Sequence, residues 1–244
     1  MTKFKVLSTK KLDPLLVEEA KELNIEIVEQ EFISVKPITG KDKWDEVFTW
    51  INDKPQYIVF TSANAVEAVK KYLHPYVNFE SVQWKVFCLS GRTKNAVETI
   101  DDLSRSVIDT ASDAAGLAEK IIESNIKELV FFCGDQRRDD LPVILKNKGV
   151  NVHEVVVYTT VESPVKAEDN FDAIVFFSPS AVRSFFSVNQ LMPHVICFAI
   201  GHTTAHSLRE FTSNEVIVSN STSQEGMLNT MNIFFNQKDD LKNA

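Results

Sequence analysis

Apolar residues along this chain come in short runs, each broken by a hydroxyl- or glycine-bearing turn and resumed at helical spacing. The clearest case is Asp172–Phe186, DAIVFFSPSAVRSFF. Ala173–Phe177 is apolar on both sides of any pleat, the mark of a strand buried on both faces of a parallel sheet. Ser178-Pro179-Ser180 cannot continue it, because proline lacks a ladder donor and serine favours turns and helix caps. Ala181, Val182, Phe185 and Phe186 then return with helical periodicity. Tyr57–Val69 (YIVFTSANAVEAV) is built the same way, with Thr61-Ser62-Ala63-Asn64 as its turn. Such a turn follows the carboxyl end of its strand, where open α/β sheets bind ligands.

The same rhythm extends over the whole chain. Strands are expected at Lys5–Thr9, Asn24–Val35, Tyr57–Thr61, Lys85–Leu89, Ser106–Asp109, Glu128–Cys133, Asn151–Thr159, Ala173–Phe177, Val195–Ile200 and Glu215–Val218. Helices are expected at Asp13–Leu23, Lys43–Ile51, Asn64–Leu73, from Thr93 to Ile100, and at Ala114–Ile122, Leu141–Lys148 and near Gly226–Phe235. Gly149 reads as a left-handed C-cap. The polar end, Asn236–Ala244, reads as disordered. Strand–helix alternation implies parallel sheets with helices on both faces.

A repeat sharpens this. Ser62 aligns with Ser178, Gly91-Arg92-Thr93 with Gly201-His202-Thr203, and Gly116 with Gly226. LLVEEAKELNIEIVEQEF resembles LPVILKNKGVNVHEVVVY, placing Asn24 over Gly149. The chain therefore reads as two similar halves, each a βαβ unit followed by a βαβαβα unit, facing each other across a cleft.

Composition narrows the partners. The 244 residues carry 26 basic and 34 acidic side chains, a net charge of −8, which argues against a nucleic-acid partner held by a basic surface. The opening MTKFKVLSTKKLD has no apolar stretch long enough for a signal peptide or a span, so a cytoplasmic protein with no membrane partner is expected, and a monomer. Cys88, Cys133 and Cys197 each sit inside an apolar run and read as core residues. No dinucleotide or P-loop glycine pattern occurs. His202 and His206 have i, i+4 spacing but no third ligand nearby, so no metal site is expected. The pairs Phe176-Phe177 and Phe185-Phe186 read as core, the other reading being a platform for a stacked ring.

Several motifs in order carry a resemblance: VFTSANAV (59–66), LSGRTKNAV (89–97), FFCGDQRRDDLP leading through LKNKGVNVHEVVVYTT (131–160), VFFSPSAV (175–182), AIGHTTAHSL (199–208) and TSQEGML (222–228). Together they resemble the uroporphyrinogen-III synthase family over nearly the whole chain. His202 stands where that family often has proline, and Lys94 where it often has a small residue. The resemblance implies two flavodoxin-like parallel-sheet domains, interleaved in sequence: residues 1–35 plus 163–237 in one, 40–160 in the other, with 238–244 a disordered tail. Two extended linkers, near Phe32–Ile38 and Tyr158–Pro164, would join them around the cleft. It further implies closure of the linear tetrapyrrole hydroxymethylbilane into uroporphyrinogen III, with inversion of ring D through a spiro intermediate and no metal or organic cofactor.

Such a substrate carries many carboxylates, and helix N-termini with neighbouring hydroxyls suit anions even in an acidic protein. Ser62, Asn64, Thr93, Ser178, Ser180, Thr203 and Thr204 are the candidate donors. Arg92, Arg137, Arg138 and Arg183 are read at or just inside helix starts, where the macrodipole repels cations unless an anion intervenes. Solvated, uninvolved arginines are the other reading. Tyr158 ends a long strand where a linker would begin. By resemblance it is the tyrosine beside the departing hydroxyl, able to donate a proton as the azafulvene forms; the alternative is a tyrosine that caps a strand end. Two other functions stay open: a two-domain small-molecule binding module without catalysis, and a flavin-binding flavodoxin-like protein. The former, similar in design to sugar or effector binders, would show aromatic and Asp/Asn residues in its cleft turns, whereas turns rich in Ser, Thr and Arg suit carboxylates better.

Overall fold

The computed structural model describes residues 4–40, 44–45, 47, 56–73, 83–100, 106–168 and 170–242. Most of the helix expected over Lys43–Ile51 lies outside them; Trp44, Asp45 and Val47 are helical. The strands are β1 (Phe4–Ser8), β2 (Ile25–Glu29), β3 (Ile33–Pro37), β4 (Gln56–Phe60), β5 (Trp84–Leu89), β6 (Val107–Ala111), β7 (Glu128–Gly134), β8 (Asn151–Glu162), β9 (Ala173–Phe176), β10 (Ile196–Ala199) and β11 (Val216–Val218). The helices are α1 (Pro14–Glu22), α2 (Ala63–Leu73), α3 (Arg92–Glu98), α4 (Ala114–Glu123), α5 (Asp140–Asn147), α6 (Pro179–Phe186), α7 (His202–Phe211) and α8 (Gln224–Lys242).

These strands form two sheets, ordered β11-β10-β9-β1-β2 and β3-β8-β7-β4-β5-β6. The chain divides into two compact units, Met1–Ser34 with Val161–Ala244, and Val35–Thr160. As the crossed repeat leads one to expect, β1 pairs in parallel with β9, and β4 with β7. Within each unit one βαβ pair (β1-β2 or β7-β8) lies beside three strands that wind the other way (β9-β10-β11 or β4-β5-β6). The second unit has the first unit's strand order with its βαβ pair moved to the end of the segment.

The central strands of both sheets are buried on both faces, while the edge strands β3, β6 and β11 are partly exposed. Ala173 and Val175 join Phe4, Val6 and Phe198 in one cluster, while Ile174 and Phe176 join Leu7, Cys197 and Val182 in another. In the second unit Ile58, Phe60, Val130 and Phe132 separate in the same way from Val59, Phe87, Leu129 and Phe131. This period-two division explains the uninterrupted apolar runs. The three cysteines are buried thiols outside any disulfide, as their apolar settings suggest, and burial pushes the Cys88 and Cys197 thiols up to about 11 and about 12. Phe176 and Phe185 are core residues.

Local chemistry sets the boundaries. Asp13 caps α1 by accepting the Leu15 N–H at 2.9 Å, with Pro14 as the first helical residue, where its missing N–H costs nothing. Asn24 and Gly149 both take positive φ, 59° and 76°, so the aligned residues make the same left-handed exit from α1 and α5.

The structure departs from the sequence expectations at three places. The strand expected over Asn24–Val35 is two, β2 and β3, because Phe32 turns into the core, fully buried beneath Phe185. β8 runs on to Glu162, and its pairing with β3 is antiparallel: Val157 O accepts from the Ile38 N–H, while Phe32 O accepts from the Ser163 N–H. An antiparallel edge thus completes an otherwise parallel sheet at the two chain passages between the units. The polar end is helical through Lys242 rather than disordered from Asn236. It contains no glycine or proline, and Asn236 donates to Asn232 Oδ1 one turn back at 3.0 Å.

Candidate active site

In each sheet, two adjacent strands send their connections in opposite directions, and ligands of open α/β sheets bind outside the carboxyl ends of such a pair. In the first unit the pair is β1 and β9, ending at Ser8-Thr9 and Phe177-Ser178; in the second it is β7 and β4, ending at Gly134-Asp135 and Thr61-Ser62. Both aligned serines of the repeat therefore stand at switch points.

At the second of these, three predicted residues come together. Ser62 Oγ accepts the Asn64 N–H at the start of α2, at 3.2 Å, and also accepts from the Tyr158 hydroxyl at 3.2 Å. A register slip brings Tyr158 there. Cys133 opposes Val156, but Gly134 opposes Tyr158, leaving Val157 as the extra residue of a bulge. Consecutive Val157 and Tyr158 consequently pack against the same core cluster, which a regular strand forbids. From β8 the phenol reaches over Gly134 of β7 to the turn after β4. A Cβ at Gly134 would lie 2.5 Å from Tyr158 Cε2, 2.7 Å from its oxygen and closer still to Cζ, so only glycine leaves room for the ring.

The next turn locks the strand end. Asp135 donates its N–H to Tyr158 O at 3.1 Å, its carboxylate accepts the Thr160 N–H at 2.8 Å, and Gln136 donates to Thr160 O at 3.2 Å. Burial raises the Tyr158 pKa; the Ser62 and Asn64 side chains, able to hydrogen-bond a phenolate, oppose this without cancelling it, so the phenol keeps its proton across the neutral range. Sequence reasoning missed Gly134, Asp135 and Gln136 as parts of this site. The available signal was a glycine closing a strand of bulky residues, followed by Asp-Gln.

Four arginines divide. Arg92 is the first residue of α3, exposed, and makes no ion pair among the described residues; Thr93 beside it is buried. Arg137 and Arg138 precede α5 rather than sitting within it, and both are paired: Arg137 with Glu154 and Asp139, Arg138 with Asp140 at 3.1 Å. Arg183 corrects the reading of a helix start. Helix α6 has only eight residues, so Arg183 falls in its last turn, where a cation is favourable, and it donates to Glu162 at 2.9 Å. Of these four arginines only Arg92 stands at a helix start with no ion pair among the described residues.

Arg137 also belongs to a second network. Burial pushes the Glu154 carboxyl up, but hydrogen bonds from Lys146 and Arg137 outweigh it and leave the pKa below the usual glutamate range. A depressed carboxylate stabilises the fold above its unfolded pKa and ceases to do so as pH falls through its folded value. Glu154→Gln should therefore lower the melting temperature at about pH 7, with the gap to wild type closing below about pH 4, in thermal scans across pH.

In the first unit Ser178 caps α6 by accepting the Ala181 N–H at 3.2 Å, while Ser180 is buried and its hydroxyl donates to Ser178 Oγ at 3.5 Å. Thr203 is exposed in the first turn of α7, and Thr204 is buried behind it. The structure thus brings Ser62, Asn64 and Tyr158 into contact in one unit, groups Ser178 with Ser180 in the other, and holds Arg92 and Thr203 exposed at separate helix starts.

The family model described as uroporphyrinogen-III synthase HemD matches residues 15–229. The uroporphyrinogen-III synthase of Saccharomyces cerevisiae is 25% identical over 212 residues, covering 75% of this chain and 77% of that one. The porphyrin biosynthesis protein HemD of Ruminiclostridium josui is 26% identical over 239 residues, 91% of this chain but 46% of the longer relative. In fold, the chain is similar to the uroporphyrinogen-III synthetase of Helicobacter pylori (TM-score 0.61, 16% identity, 95% of this chain and 98% of that one). It is also similar to a mutant uroporphyrinogen III synthase of Thermus thermophilus (TM-score 0.59, 14% identity, 99% and 100%). Among the described residues no helix is long and apolar enough to cross a membrane. With a family match over most of its length and the matching two-unit α/β architecture, this chain belongs to the uroporphyrinogen-III synthase family.

Proposed function

We propose that this protein is a uroporphyrinogen-III synthase, a lyase of heme biosynthesis that closes hydroxymethylbilane with loss of water and inversion of ring D. The observation that carries the reading is the family match over residues 15–229, joined at the second switch point to a phenol and a serine held by one hydrogen bond. Departure of the hydroxyl is easy for a pyrrole-activated carbon, since the ring nitrogen supplies electrons to the forming azafulvene. The protein's larger task is to fold the chain so that ring D is attacked at its substituted carbon, a matter of proximity and orientation. Ser62, Asn64 and Tyr158 serve the reacting end. Arg92, Thr93, Arg137, Arg138, Ser178, Ser180, Thr203 and Thr204 mark the turns through which substrate carboxylates are held, and Arg183, in the last turn of its helix and paired with Glu162, is left out of that set. The acidic surface supports a small-molecule substrate over nucleic acid, and the enzyme is taken to act as a cytoplasmic monomer.

Incubation with hydroxymethylbilane, followed by oxidation and chromatography of the porphyrin isomers, tests the reading. Isomer III in excess over the uninverted isomer I of a protein-free blank supports it; isomer I alone overturns it.

Arg92 offers a separate check. A cation at a helix start is mildly unfavourable without an anion, so Arg92→Gln should leave apo stability unchanged or raise it by a few tenths of a kcal/mol. It should also weaken product binding and flatten the salt dependence of that binding, because exposed charge contacts are screened over roughly 10 Å. Calorimetric titration at two salt concentrations, beside melting curves, measures both.

A further inference from the structure

We infer that Ser62, not Tyr158, delivers the proton to the departing hydroxyl, with Tyr158 acting behind it as a positioning residue and proton source. The inference rests on the proposed cyclisation and assigns the order of the groups within it.

A serine hydroxyl has two lone pairs and one proton. At Ser62 both lone pairs are engaged: the Asn64 backbone N–H can only donate, and it takes one. The Tyr158 hydroxyl takes the other, for a phenol is the more acidic partner and an aliphatic hydroxyl the better acceptor. What remains to Ser62 is its own O–H, so the oxygen is locked as a donor to whatever stands in front of it. Ser62 is half-buried on the turn after β4, at the switch point, whereas the Tyr158 hydroxyl donates to Ser62 and has the Asn64 side chain as a second partner, able to donate to its oxygen. The phenol is held from behind by the bulge at Val157 and by the absence of a side chain at Gly134.

The step balances. The carbon–oxygen bond of the hydroxymethyl group breaks with its electron pair passing to oxygen, while the pyrrole nitrogen lone pair forms the exocyclic double bond. The Ser62 proton moves to the leaving oxygen, which departs as water, and the Tyr158 proton moves to Ser62. Tyr158 recovers a proton when the closing pyrrole α-carbon loses its hydrogen to restore aromaticity, so serine and phenol end the cycle as they began.

A relay in series makes a specific pattern of rates. Ser62→Ala removes the terminal donor and should lower kcat about tenfold or more, with KM little changed. Tyr158→Phe leaves the serine proton in place and should lower kcat less. The double variant should be no slower than Ser62→Ala alone, and Ser62→Thr, which keeps a hydroxyl, should recover most of the rate. Because Ser62 also caps α2, Ser62→Gly provides a second hydroxyl-free variant, glycine being tolerated at caps at a cost of a few tenths of a kcal/mol. All variants are compared by kcat, KM and isomer composition on hydroxymethylbilane. A larger loss in Tyr158→Phe than in Ser62→Ala and Ser62→Gly overturns the order, as do multiplicative losses in the double variant or wild-type kcat in both hydroxyl-free variants. If wild type forms no isomer III, the cyclase reading itself fails, which is a distinguishable result.

Discussion

Gly134→Ala should produce a folded protein whose turnover falls at least as far as that of Tyr158→Phe. The added Cβ would lie 2.5 Å from Tyr158 Cε2, well inside contact distance, on a strand fixed by pairing on both sides. Neither β4 nor β8 can move away without breaking ladder bonds, so the ring must leave its place, at about 1–3 kcal/mol for an overpacked site. Once it swings away, the Tyr158–Ser62 hydrogen bond is lost, and a transition-state interaction of about 1.4 kcal/mol corresponds to about tenfold in rate. The expected result is a kcat at or below that of Tyr158→Phe, with product binding and overall helix content retained. Steady-state kinetics beside circular dichroism measure it. Full activity in Gly134→Ala would mean that the ring's position over β7 has no bearing on catalysis.

The second large effect falls on stability. Phe185 is 2% exposed and touches Phe32 at 5.2 Å, Phe176 at 5.5 Å and Phe186 at 5.1 Å, ring centre to ring centre. It therefore ties α6, β9 and the residue that separates β2 from β3 into one cluster. Removing a buried phenylalanine costs about 3–5 kcal/mol, a large share of the roughly 5–15 kcal/mol that holds an ordinary domain folded. Phe185→Ala should accordingly lower the melting temperature on the order of ten degrees. Hydrogen exchange should quicken in β1, β9 and β10 and not in β4, β5 and β7, since those strands belong to the other unit's cores. Equal loosening in both units would contradict the division of the core.

Those two sites differ in how visible they are in the sequence. The turns at Ser62 and Ser178 are legible because capping is local: a serine after a buried strand, with free amides following, needs no distant partner. The pairing of β1 with β9 is legible because the repeat crosses the chain. Arg183 was misplaced because a helix start says nothing of the end, and an eight-residue helix brings its fifth residue into the last turn. The antiparallel edge of β3 on β8 and the turn inward at Phe32 arise from the passage between units, which leaves no periodic trace. Least visible is the bulge. A run of three valines before Tyr158 reads as regular strand, and only the paired register shows Val157 and Tyr158 sharing a face.

In the proposed function the reacting end of the substrate sits at the second unit's switch point, against Ser62 and backed by Tyr158. The chain has four tyrosines, so protein labelled only at the tyrosine Cζ gives one carbon NMR signal for each, and Tyr158→Phe identifies the one that matters. Titration with uroporphyrinogen III, kept reduced, should shift the Tyr158 signal in step with binding measured by calorimetry, and Ser62→Ala should shrink that shift. Saturable product binding with the Tyr158 signal unmoved would contradict the placement of the site.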